Sequence, residues 1–121
     1  MAKAIINGKE YGLRLDLYAM EKIEEEFGSL KEAFAQMRGG KQVRATRIIF
    51  RIMANSYLSY HGKEETVTGD EIKHADMETF GEIARAVNEA VEEGSKSETT
   101  NGNEADDEVH DAYLEEIERK K

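Results

Sequence analysis

The dipeptide Asn7-Gly8 constrains this chain more than any other pair of residues in it. A type I′ turn needs positive φ at both central positions, and Asn followed by Gly meets that demand with little strain. The turn sets a register in which Ile6 opposes Lys9 and Ala4 opposes Tyr11. Side chains alternate along a strand, so Ala4, Ile6, Tyr11, Leu13 and Leu15 fall on one face. That face is apolar except for Lys9 beside the turn. A two-stranded hairpin is marginal in water by itself, so this face requires helices to cover it.

Helix signals follow in quick succession. Asp16 predicts an N-cap for a helix over 17–27, with Leu17, Met20, Ile23 and Phe27 as its apolar stripe and Gly28 as its stop. Ser29-Leu30-Lys31-Glu32 has the form of a capping box, restarting a helix through Arg38 with Leu30, Phe34 and Met37 on its inner side. The stretch 42–60 is apolar on more than one side, including Val43, Ile49, Phe50, Met53 and Tyr60, which predicts a central helix touching several neighbours. Thr68-Gly69-Asp70-Glu71 reads as a second capping box leading a helical turn to His74. Asp76 then caps a last long helix over 77–93, with Met77, Phe80, Ile83, Ala84, Val87 and Val91 as its stripe and Gly94 as its end. The expected fold is α+β, mainly α, with an N-terminal β-hairpin packed on a bundle of four to five helices.

After residue 94 the composition changes. Residues 95–108 contain one small apolar residue, Ala105, and cannot bury enough surface to offset the entropy of ordering, which predicts a disordered linker. Val109, Ala112, Tyr113 and Ile117 then return at helical spacing. Residues 109–121 therefore read as a short amphipathic helical tail, too short to hold helix alone in water. The expected organisation is a domain over 1–94, a linker over 95–108 and the tail.

Charge and composition exclude several functions. The 121 residues carry a formal net charge of −9 and no cysteine. Without cysteine, disulfides and thiolate metal sites are ruled out. The acidic balance disfavours nucleic acid, which requires concentrated Lys and Arg. No apolar run approaches a membrane span or a signal peptide, so no membrane association is expected and the cytoplasm is the default location. His61, His74 and His110 share no metal-ligand spacing, no serine sits in a nucleophile elbow, and no glycine-rich loop can cradle phosphate. Neither enzyme activity nor a cofactor is expected.

Two features point to protein binding. Residues 41–62 hold four basic groups and no acidic one, and Arg44, Arg47 and Arg51 share a helix face at i, i+3 and i+7. Internal pairing with the acidic helices is the favoured reading of this stripe, and docking of an acidic partner the competing one. In the tail, Val109, Tyr113 and Ile117 have no core within their own segment, so their apolar side needs a partner. That partner is either this domain or another protein.

The run Ile6-Asn7-Gly8-Lys9-Glu10-Tyr11-Gly12-Leu13-Arg14-Leu15, followed by Met20-Glu21-Lys22-Ile23-Glu24-Glu25-Glu26-Phe27-Gly28-Ser29-Leu30, resembles the start of the tail assembly chaperones of long-tailed bacteriophages and related gene transfer agents. The resemblance spans about residues 4–92 and rests on element order: a hairpin, an acidic helix ending in aromatic-Gly, and a helical remainder. It implies a chaperone without catalytic residues that keeps the helical tape measure protein soluble in the bacterial host and helps tail tube subunits assemble. It also implies that a longer form can arise by −1 frameshifting, for which codons of Lys120-Lys121 would be the place. A homo-oligomer is compatible with the sequence. The alternative function is an acidic adaptor or an inhibitor or antitoxin-like module whose surface imitates phosphate for a basic protein.

Overall fold

A computed structural model describes residues 2–95 of the chain. The fold is α+β and mainly α. Strands β1 (Lys3–Ile6) and β2 (Lys9–Gly12) precede helices α1 (Leu17–Phe27), α2 (Leu30–Met37), α3 (Gln42–Tyr60) and α4 (Met77–Ser95). A 3-10 turn, Asp70–Ile72, lies between α3 and α4.

The hairpin has the register its turn demands, with Ile6 opposite Lys9 and Ala4 opposite Tyr11. Asn7 and Gly8 both have positive φ, 52° and 81°. Ala4, Ile6, Tyr11, Leu13 and Leu15 are all buried. Helices α3 and α4 both cover them, and on α3 Tyr11 meets Phe50 edge to face with ring centroids 5.6 Å apart. Phe50 is completely buried, and burying a side chain of that size stabilises the fold by about 1.5–3 kcal/mol. The backbone continues the seam: the N–H of Leu13 donates to the carbonyl of Ala2, and that of Arg14 to the carbonyl of Met53 in α3.

Three of the four helix starts predicted from a side-chain cap are found. Asp16 accepts from the N–H of Ala19, Ser29 from that of Glu32, and Asp76 from that of Thr79. Gly28, at φ 91°, ends α1 and turns the chain into α2. Helix α3 supplies the largest share of the core, with Ala45, Ile49, Phe50, Ile52, Met53 and Ala54 all buried.

Four expectations are corrected. Leu17 and Met77 are each 78% exposed and Val43 is 54% exposed, so none belongs to the core. Each stands six residues before a fully buried isoleucine, Ile23, Ile83 and Ile49 respectively. Six residues at about 100° each leave a side chain about 120° away around the helix. Tyr60 is also exposed, and its ring lies 3.7 Å from the Arg14 guanidinium instead of in the core. The Thr68 motif gives its short helical turn as the 3-10 segment Asp70–Ile72, which ends two residues before His74. Glu71 does reach back to the N–H of Thr68, but the Thr68 hydroxyl accepts from Asp70 N–H, two residues on, which is the geometry of a tight turn. Finally, Gly94 does not end α4, which continues through Ser95, the residue expected to open the linker. A Cβ at Gly94 would collide with the carbonyl oxygen and side chain of Leu15, so the glycine serves close packing of α4 on the hairpin exit. The rest of the linker and the tail lie outside the described residues.

One connection depends on a single side chain. Asn55 of α3 donates to the carbonyl of Val67 at 2.9 Å and accepts from its N–H at 2.6 Å. This pair of bonds holds the polar 63–68 connection against α3 and buries Val67.

The Asp16 carboxylate joins three elements. It accepts from Ala19 N–H at 3.0 Å, from the buried Ser56 hydroxyl of α3 at 2.7 Å, and from Arg14 at 3.1 Å. Burial alone would push this carboxyl up, but the bonds from Ala19, Ser56 and Arg14 outweigh it and hold it below its ordinary value of 3.8. A carboxyl lowered in the folded state contributes stability above its unfolded value and loses it as the pH falls through the folded one. Replacing Asp16 with Ala removes a cap and strands the Ser56 hydroxyl, so we expect a loss of about 2–3 kcal/mol in urea denaturation. Asp16→Asn retains a capping side chain and should flatten the loss of stability below pH 3.8 relative to the unaltered protein. Equal acid sensitivity of the two would show that Asp16 does not carry this linkage.

Candidate functional site

The concave surface with the most apolar lining lies where α2, α3 and α4 meet. Its volume is about 390 Å³, within the range of pockets that take ligands or peptide side chains. Leu30, Phe34 and Met37 from α2 form one wall, Thr46 from α3 the floor, and Ala84 and Val91 from α4 the opposite wall. The order of elements explains why these residues converge. Gly28 and Ser29 fold α2 back from α1 so that it packs along α3, and α4 then returns along α3, leaving the concave surface between α2 and α4. Helix α2 has only eight residues against nineteen in α3 and in α4, so it covers their shared seam incompletely.

The burial of the lining is graded. Leu30 and Thr46 are buried, whereas Phe34, Met37, Ala84 and Val91 are only half-buried. A groove walled by Met and Phe is adaptable, because the Met thioether has several rotamers and tolerates different apolar shapes. Four exposed polar residues complete the lining: Lys31, Arg38, Gln42 and Asn88. Both charged groups among them are cations, and neither forms an ion pair among the described residues. Apolar walls with a basic rim suit an amphipathic helix carrying acidic groups beside its apolar stripe.

The basic stripe lies elsewhere on α3. Arg51 is five residues from Thr46, about 140° around the helix, and faces α1, where it pairs with Glu26 at 3.3 Å. Arg47 is half-buried and donates to the carbonyl of Gly69 at 3.5 Å, while its Nε is buried without a partner among the described residues. Arg44 is exposed and makes no ion pair among those residues. Two of the three arginines therefore make internal contacts, and Arg44 remains presented to solvent. Val109, Tyr113 and Ile117 lie outside the described residues. The groove itself was missed in the sequence, because its lining is shared among three helices and Leu30, Phe34 and Met37, at i, i+4 and i+7, make only a narrow stripe on α2.

Among the described residues no three His, Asp or Glu side chains come together in a group able to hold a metal, and no helix is long and apolar enough to cross a membrane. Comparison with protein-family models, with curated proteins and with solved structures gives no match.

The different roles of the arginines are separable by charge reversal. Arg51→Glu places two carboxylates side by side and should lower stability by up to about 1 kcal/mol, an effect that shrinks with added salt. Arg44→Glu should leave the urea midpoint unchanged. Equal effects of the two substitutions would contradict the assignment of Arg51 to internal pairing.

Proposed function

We propose that the protein is a tail assembly chaperone that binds helical segments of a tape measure protein in the groove between α2, α3 and α4, and so assists assembly of a tail tube. The observation that carries this reading is the groove: an apolar trough with polar edges at the meeting of three helices. The resemblance implies a client that is long and helical and must be kept soluble while tube subunits assemble around it. A holdase for such a client needs an adaptable apolar surface and a body that resists self-association. The graded lining by Phe34, Met37 and Val91 supplies the first. The net charge of −9 favours the second through mutual repulsion. The order hairpin, acidic helix, helical remainder, on which the family resemblance rests, also supports the reading.

Co-expression with a tape measure protein tests it. We expect the client to stay soluble and to co-purify with the chaperone, and Met37→Glu with Val91→Glu to abolish recovery while the variant itself remains folded by circular dichroism. A client that is soluble without the chaperone and never co-purifies would refute the proposal. Tight capture of a basic protein in place of the tape measure protein would favour the acidic inhibitor reading.

A further inference from the structure

We infer that the groove has an occupant within this chain: the segment 109–117 docks between α2 and α4 with Val109, Tyr113 and Ile117 against their apolar walls. Four observations converge on this assignment. The first is where the chain leaves the fold. Helix α4 lines the groove from Ala84 to Val91, and Ser95 stands one turn beyond Val91, about 6 Å along the helix axis. The path to residue 109 therefore starts at one end of the groove.

The second is length. Residues 96–108 separate α4 from the segment, and a coil of that many residues spans about 20 Å. The groove wall from Ala84 to Val91 is about 10 Å long, so the segment reaches all of it. Nine residues of helix measure about 13 Å, which matches the wall it would cover.

The third is charge. The groove's charged lining residues are Lys31 and Arg38, both exposed cations that form no ion pair among the described residues. Glu116 flanks the apolar stripe of the segment, about 60° from its centre, and Asp106, Asp107 and Glu108 lead into it. In a protein with an excess of nine negative charges, a groove with only basic charges selects this segment over a neutral one.

The fourth is energetic. Tethering by so short a connection gives an effective concentration in the millimolar range, so a contact too weak to form between separate molecules is populated within one. The segment thus covers apolar surface that otherwise invites self-association, and a client must displace it. The competition with the client rests on the chaperone reading; the docking does not.

A paramagnetic label decides the matter in the full chain, which has no native cysteine. Glu115→Cys carries a nitroxide on the side of the segment opposite its apolar stripe. We expect the methyl signals of Leu30, Met37 and Val91 to lose most of their intensity, independently of protein concentration. Adding Tyr113→Asp and Ile117→Asp to the labelled chain should restore them. Loss of signal on another face, or no loss anywhere, would overturn the proposal. So would broadening seen in a mixture of labelled chains with isotopically enriched unlabelled ones, because the occupant would then be a second copy. None of these results bears on whether a tape measure protein co-purifies, so the two proposals fail separately.

Discussion

The fold depends on the Asp16 carboxylate, which ties the end of the hairpin and the start of α1 to Ser56 of α3, forty residues away in sequence. It caps α1, accepts the Ser56 hydroxyl from the middle of α3, and holds Arg14 at the exit of the hairpin. The buried Ser56 hydroxyl finds its partner there, and a hydroxyl buried without one would cost about 1–3 kcal/mol. The same contact fixes the angle at which α1 leaves the hairpin. With α1 fixed, the Gly28-Ser29 corner sets the direction of α2, and α2 forms one wall of the groove. Position of the candidate site thus traces back through two caps to one carboxylate.

Helix α3 is the post around which the rest is arranged. The hairpin covers one side of it through Tyr11 and Phe50, and α1, α2 and α4 each pack against it. Small residues permit these approaches: Ala45, Ala54, Ala86 and Ala90 are buried, and Gly94 lets α4 pass against Leu15. The polar side of α3 is also occupied, by Asn55 on Val67, Arg47 on Gly69 and Arg51 on Glu26. The α2–α4 side near its first turns is the side left partly open.

Much of the fold was legible in the sequence because it is specified locally. Asn7-Gly8 requires its turn, and Asp16, Ser29 and Asp76 satisfy helix N–H groups a few residues away. What could not be read depends on angle and distance across the chain. Leu17, Met20 and Ile23, like Met77, Phe80 and Ile83, recur every third residue, and a period of three drifts by about 60° per step relative to the helical repeat. Two steps carry the first residue of each set out of the core. Gly94 looked like a helix stop because a sequence shows composition and not the Leu15 carbonyl that approaches it. The Asn55 clamp on Val67 gave no local signal, since an Asn within a helix is unremarkable. The groove combines half-buried residues of three helices, and no single stripe announces it. The arginine face was visible, but only the fold could divide it between internal contacts at Arg47 and Arg51 and an exposed Arg44.

We propose that a helical client sits in the α2–α3–α4 groove. Amide hydrogen exchange on the full chain carrying Tyr113→Asp and Ile117→Asp, which leave the groove uncovered, with and without a tape measure segment bound, tests this, because covering a groove slows the opening of its walls. The account predicts slower exchange in α2, residues 30–37, and in the stretch of α4 from 84 to 91, with the hairpin unchanged. Slowing confined to the hairpin or to the Arg44 side of α3, with the groove walls exchanging as before, would contradict it.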